Sequence, residues 1–142
     1  MSNLERQSLL VSLDEELLKG GVVLSEWCAF IIRESDNAFV NGLYLASIIT
    51  AMSAIETYLR SEDPTPKKKR LVELINSSGL ESDLIRQLHT LRKYRNQWVH
   101  VDDAWDDETL IQNPEKHEVE LERVACIAVR ALRQTIYSSP WV

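Results

Sequence analysis

The sequence predicts an all-α protein of one domain, residues 1–142, folded as an up-and-down bundle of about five helices. Apolar residues recur at helical spacings of three and four along most of the chain. No stretch shows the sustained apolar–polar alternation that is typical of a half-buried strand. With only 4 Gly and 4 Pro, and 44% hydrophobic residues, the chain is suited to a single helical core.

Helix-capping residues predict the first two helices. Ser12 and Glu15 have the spacing of a capping box and predict a short first helix that ends before the next glycine pair. Ser25 is predicted to cap a second helix that runs to about Glu34. The polar run at residues 35–37 predicts a break or bend after it.

The third helix is predicted from one unbroken apolar stripe that ends near Arg60. Its members are spaced 3, 4, 3 and 4 residues apart: Leu45, Ile48, Met52, Ile55 and Leu59. Residues 61–66 read as a turn. Thr65-Pro66 then combines an N-cap residue with proline at the first helical position, which predicts a short helix that ends before Gly79.

Two further helices are predicted in the second half of the chain. One runs from about Ser82 to Val101 and carries the stripe Leu84, Leu88, Leu91 and Trp98. An acidic loop, residues 102–112, follows it. Asn113-Pro114 repeats the cap-plus-proline signature and starts the last long helix, which Pro140 stops.

The charge is unevenly distributed along the chain, although the net charge is −6. Residues 60–100 carry +4, whereas residues 101–124 carry −7. A phosphate-binding surface would therefore have to be built from residues 60–100. Charge alone favours the alternative that these side chains form ordinary solvated helix faces.

Several classes of function are disfavoured by what the sequence lacks. Cys28 and Cys126 are too few for a disulfide framework and have no metal spacing, so both are interpreted as reduced, small core residues. Neither a zinc site, a glycine-rich phosphate loop nor a nucleophile elbow is found. No apolar run reaches the roughly 20 residues of a membrane span, and no signal pattern is found at the N-terminus. The expected location is the cytoplasm.

The stretch from Leu91 to His100 is the one place where groups with chemical potential cluster. Asn96 and His100 are four residues apart and share a helix face, and Lys93 lies on the same face. Arg95 lies about 140° round the helix from His100, on the flank of the apolar stripe. A guanidinium there needs a partner, which is a carboxylate, a phosphate or a second subunit.

Residues 95–100 (Arg-Asn-Gln-Trp-Val-His) resemble the R-x4–6-H motif of the HEPN superfamily, in its form Arg-Asn-x-x-x-His. The flanking helices, including Ala54-Ile55-Glu56 on the long third helix, agree with the layout of that family. The resemblance implies a metal-independent endoribonuclease that needs no cofactor. It also implies a homodimer with two facing motifs, a toxin–antitoxin or phage-defence setting, and an antitoxin or nucleotidyltransferase-like partner protein.

Carried onto this chain, the family's catalytic pair is Arg95 and His100, supported by Asn96. Histidine titrates near pH 7 and suits proton transfer from the ribose 2′-OH, and arginine stabilises the charged phosphorane. The expected products are a 2′,3′-cyclic phosphate and a 5′-OH. Arg92 and Lys93 are expected to bind the RNA backbone.

Two alternatives to the endoribonuclease stay open at this point. The chain can be a catalytically silent HEPN module that binds RNA, a nucleotide or a partner protein, or a helical interaction protein with a chance motif. Trp98 lies in the apolar stripe, which favours a core or dimer contact over stacking on a base.

Some members of the HEPN superfamily carry a tyrosine two residues after the motif histidine, and this tyrosine is modified. The present chain has Asp102 at that position. The acidic residues there either pair with His100 or Arg95, or form a solvated loop.

Overall fold

The computed structural model describes residues 1–65 and 67–140 and confirms the all-α fold. Within these residues the chain forms five long helices and two short ones. The long helices are α1 (Asn3–Leu17), α2 (Glu26–Val40), α3 (Tyr44–Glu62), α5 (Ser82–Val99) and α7 (Pro114–Ile136). The short helices are α4 (Leu71–Asn76) and α6 (Glu108–Gln112).

The long helices alternate in direction, as an up-and-down bundle requires. Between α2 and α3, Cys28 Sγ lies 3.6 Å from the Ala54 carbonyl, and Ser35 and Ser47 hydrogen-bond reciprocally, so these helices are antiparallel. Helices α5 and α7 are also antiparallel, because Trp98 lies beside His117 whereas the start of α5 lies beside the end of α7. The connections from α1 to α2 and from α2 to α3 are short, whereas the short helices α4 and α6 lie in the two longer connections.

Helices α3 and α7 form the centre of the core, and α1, α2 and α5 pack around them. The largest side chains that are fully buried come from α2, α3, α4, α5 and α7: Phe39, Ile48, Met52, Ile55, Ile75, Leu88 and Leu132. Five alanines of α3 and α7 (Ala51, Ala54, Ala125, Ala128 and Ala131) are also fully buried. Small side chains at these positions allow the two central helices to approach closely.

A buried guanidinium links three helices at one end of the bundle. Arg133 of α7 is 3% exposed. Its Nε donates to Asp14 Oδ1 of α1 at 2.9 Å, and its two terminal nitrogens donate to Asp36 of α2 at 3.1 and 2.8 Å. Tyr137 adds a hydrogen bond from its hydroxyl to Asp14 at 2.7 Å. We call this group the Arg133 cluster.

The predicted start of the first helix and the predicted end of the second are wrong. Helix α1 begins nine residues before Ser12, and a capping box of Ser2 and Glu5 starts it. Helix α2 begins after Ser25 as expected, but it continues through residues 35–37 to Val40. The polar residues that suggested a break are tertiary contacts: Ser35 bonds to α3, and Asp36 belongs to the Arg133 cluster.

Asn41-Gly42 forms the turn between α2 and α3. The two helices are joined at this point, and Gly42 has φ +74°. A left-handed backbone is accessible to glycine at little cost, so a short connection fits here. The guanidinium of Arg6 lies against it, within 3.4 Å of where a Cβ would stand.

The second half of the chain follows the prediction more closely. The proposed start at Thr65-Pro66 is not where helix α4 begins; it begins at Leu71, and Pro66 lies outside the described residues. Helix α5 covers the predicted range but ends at Val99. Helix α6 forms within what was predicted to be a loop, and α7 begins at Pro114 after Asn113 as expected.

Candidate functional site

The candidate site lies on the last turns of α5. Leu88 and Leu91 are buried against the core and fix this helix, so the residues that follow project from a rigid element. The helix ends at His100, whose backbone leaves the helical region with φ −128° and ψ 70° while its N–H still donates to Asn96 at 2.9 Å. The motif thus spans the end of a helix and the start of a loop.

Arg95 has a neutral partner rather than a carboxylate. Its Nε and one terminal nitrogen both donate to the side-chain oxygen of Asn96, at 3.1 and 2.9 Å. Both residues are half-buried. The amide of Asn96 therefore orients the guanidinium and, being neutral, does not compensate its positive charge.

His100 is exposed at the helix C-terminus, and no hydrogen bond of its side chain to another described residue is found. No hydrogen bond joins His100 to Arg95 within the described part of the chain. One copy therefore positions the arginine but does not orient the imidazole.

Three neighbouring cations near the end of α5 form no ion pair within 4.0 Å among residues 1–65 and 67–140. They are Arg92, Lys93 and Arg95. Most other arginines and lysines of the described residues 60–140 do form one: Arg60, Lys69, Arg70, Arg86, Arg130 and Arg133. Unneutralised charge on one helix segment produces a local positive potential despite the acidic net charge. A phosphate is the natural ligand of such a surface.

His89 joins two helices and is not part of the motif. Its Nε2 lies 2.8 Å from Asn76 Oδ1 at the end of α4. Partial burial lowers the pKa of His89 below its ordinary value of 6.5, and the nearby charges of Arg92 and Lys93 lower it further. His89 therefore links α4 and α5 through its side chain.

Trp98 packs on the bundle and also borders an open groove. Its ring meets His117 of α7 edge-to-face, with the ring centres 6.4 Å apart. It is partly buried against the hydrophobic core, as its place in the apolar stripe predicted. The sequence provided no role for His117, and only the packing of α7 against α5 shows its contact with Trp98.

The acidic loop after the motif is solvated. Asp102, Asp103 and Asp106 are exposed, and within the described residues none pairs with His100 or Arg95. The loop forms local bonds instead, such as the Trp105 N–H to Asp103 Oδ1 at 3.1 Å. Of the two alternatives for these residues, the structure agrees with the solvated loop.

The two cysteines are free, as expected. Cys28 is buried and Cys126 is half-buried. Burial raises the pKa of both thiols above the ordinary value, which favours the unreactive protonated form. Among the residues described, no three His, Cys, Asp or Glu side chains are grouped so that they could hold a metal ion. No helix in the same residues is long and apolar enough to span a membrane.

Comparison of the chain with protein-family models, with curated proteins and with solved structures finds no match. The resemblance to the HEPN superfamily therefore rests on the motif at residues 95–100 and on its place in the bundle. Any assignment of function has to be argued from the side chains of this chain.

Proposed function

We propose that the protein is a metal-independent endoribonuclease of the HEPN type, which cleaves single-stranded or looped RNA in the cytoplasm in a toxin–antitoxin or phage-defence setting. The observation that carries the proposal is the arrangement at the end of α5. There, Arg95 is oriented by Asn96 through two hydrogen bonds while its charge stays available. Arg92 and Lys93 add two more cations without ion-pair partners within the described residues.

The proposed reaction assigns one role to each of these side chains. His100 takes the proton of the ribose 2′-OH, which attacks the adjacent phosphorus and expels the 5′ oxygen of the next nucleotide. The departing oxygen takes up a proton, so the products are a 2′,3′-cyclic phosphate and a 5′-OH. Arg95 stabilises the additional negative charge on the phosphorane, and Arg92 and Lys93 bind neighbouring phosphates.

A second copy of the chain completes the site in this proposal. His100 is exposed and lacks a side-chain hydrogen bond to the described residues of its own chain, so the single copy leaves the imidazole free to rotate. Catalysis needs a base that is held within hydrogen-bond distance of its proton. Two copies with facing motifs supply the additional groups that restrict it.

The test is cleavage of single-stranded RNA by purified protein in excess EDTA, with products resolved by their terminal phosphates. We expect His100→Ala and Arg95→Ala to reduce the cleavage rate by about 100-fold or more. Arg86→Ala is the matched control, because Arg86 lies on the same helix but is exposed and paired with Asp83. Circular dichroism confirms that all three variants fold.

Other outcomes discriminate between the alternatives. If RNA binding depends on Arg92 and Lys93 and no preparation cleaves RNA, the result supports the catalytically silent module. The observation that favours this second candidate is the free orientation of the His100 side chain. Absence of both binding and cleavage with folded protein refutes both. Light scattering that gives a 16.3 kDa species at micromolar concentration would remove the two-copy site.

A further inference from the structure

An apolar groove of about 620 Å³ opens between four helices at the motif end of the bundle. We call it the Trp98 groove, and its main walls are Leu45, Ala46 and Ile49 of α3, Trp98 of α5, Leu110 of α6, and Leu121 of α7. Its volume lies within the roughly 300–1,000 Å³ range of ligand-binding clefts. Among the residues that line it, Glu118 is the one carboxylate, His117 is the one histidine, and there is no lysine or arginine.

Exposed apolar side chains extend the groove at its edge. Leu43 is 59% exposed and Leu110 is 42% exposed, although both line the groove. Ile111 and Trp105 lie near Leu110 in the chain, do not line the groove themselves, and are 72% and 89% exposed. Large apolar residues that are exposed together often mark an interaction site.

The wall formed by α6 is weakly attached. This helix packs only on α7 among the described elements, and its hydrogen bonds are local, such as Gln112 to Glu108 at 3.0 Å. None of its residues is buried. The groove can therefore widen by a shift of α6 without the loss of core packing.

Residues 106–118 include the groove walls Leu110, Pro114 and Glu118, and we call the carboxylates of this segment the rim. They are Asp106, Asp107, Glu108, Glu115 and Glu118; Glu118 itself lines the groove, and Lys116 is the one lysine in the segment. Within the described residues these carboxylates form no ion pair, and residues 101–124 carry −7. An apolar floor with an uncompensated acidic rim is complementary to an amphipathic helix whose apolar stripe is flanked by lysine and arginine.

We propose that the Trp98 groove binds a basic amphipathic helix of a partner protein. The helix places its apolar anchors against Leu45, Ile49 and Trp98, and its cations against the rim. Its site is adjacent to the motif because Trp98 lies between Arg95 and His100 in the chain. The proposal does not depend on ribonuclease activity, and it identifies the surface that a controlling partner of this chain would use.

The test uses a synthetic helical peptide of leucine and lysine, about 18 residues long, with leucines at spacings of three and four. A control peptide has the same composition without an apolar stripe. Each is titrated at about 150 mM salt into the full-length protein labelled for NMR. We expect the striped peptide to bind about tenfold more tightly or better, and to shift the amides of residues 43–49 and 110–121.

Two matched substitutions locate the site. Ala46→Arg places a long cation in the groove, and Ala46 is exposed, so the fold is retained; we expect affinity to fall by about tenfold or more. Ala29→Arg makes the same change at an exposed position of α2 outside the groove and is expected to leave affinity unchanged.

Four results would overturn the proposal. Equal affinity for the two peptides would show attraction by bulk charge alone, and amide shifts outside the groove would place the peptide elsewhere. A protein that is dimeric by itself and becomes monomeric in Ala46→Arg would show that the groove holds a second copy. An oligouridylate that shifts the same amides as strongly as the peptide would make the groove a base-binding site of the nuclease.

Discussion

Replacement of Arg133 by methionine tests whether the Arg133 cluster joins the two ends of the chain. Methionine retains most of the length and the apolar stem of the side chain but removes the charge and all donors. Three hydrogen bonds to Asp14 and Asp36 are lost, and two carboxylates are left without their cation. The loss of one partner from a buried ion pair typically costs about 3–5 kcal/mol.

The exposure of the two carboxylates predicts that the loss of unfolding free energy lies at the lower end of this range of about 3–5 kcal/mol. The side chains of Asp14 and Asp36 are 42% and 25% exposed, so both regain water when the guanidinium is removed. We therefore expect the free energy of unfolding to fall by about 3 kcal/mol. For 142 residues the unfolding entropy is about 0.3 kcal/mol/K, so Tm should fall by about 10 °C.

Thermal and urea unfolding followed by circular dichroism measure this loss. Arg130→Met is the matched control, one turn earlier on α7, because Arg130 pairs with Glu16 at the surface, where the two side chains are 43% and 55% exposed. An exposed pair contributes about 1 kcal/mol or less, so Tm should fall by about 3 °C at most. Equal losses in the two variants would refute the reasoning.

Two further predictions concern single positions outside the motif. In urea unfolding, Gly42→Ala should lower the free energy of unfolding by about 2 kcal/mol and Gly79→Ala by about 1 kcal/mol. Both glycines have a positive φ, but only Gly42 faces the fixed guanidinium of Arg6. Because the pKa of His89 is lowered in the folded state, native protein binds fewer protons and loses stability as pH falls below 6.5. His89→Gln should flatten the unfolding free energy between about pH 7 and pH 5, and an unchanged slope would contradict this.

The direction of the five long helices could be predicted because it depends on local signals. Apolar stripes identify the helices, and short connections make neighbours antiparallel. The Asn113-Pro114 signature located the start of α7 to the residue. Such predictions succeed where the cap and the stripe lie within a few residues of each other.

The polar run at residues 35–37 shows where local signals fail. Serine, aspartate and asparagine compete with the helix by bonding to their own backbone, so the run suggested a break. In the fold, Ser35 bonds to Ser47 and Asp36 bonds to Arg133, which is 97 residues away. A partner at that separation has no local signature, and tertiary contacts keep the helix intact.

The candidate site also has one part that could be predicted from the sequence and one part that could not. The grouping of Arg92, Lys93, Arg95, Asn96 and His100 was predicted because all of them belong to one helix end, where spacing determines position. The bond between Asn96 and Arg95 joins neighbours and needed only side-chain geometry. The Trp98 groove could not be predicted, since its walls come from four helices that become adjacent only when the bundle forms.

The positive and negative segments of the chain do not neutralise each other, although they are neighbours in sequence. Arg92, Lys93 and Arg95 lack ion-pair partners among the described residues, and so do the carboxylates of the loop that follows α5. Helix α5 ends at Val99, and intramolecular ion pairing cancels neither charge in the part of the chain that the structure describes. The positive segment is therefore available for a phosphate and the negative rim for a basic helix. On this reasoning, a partner in the Trp98 groove would bring its own cations next to the motif without competing for the phosphate contacts of Arg92 and Lys93.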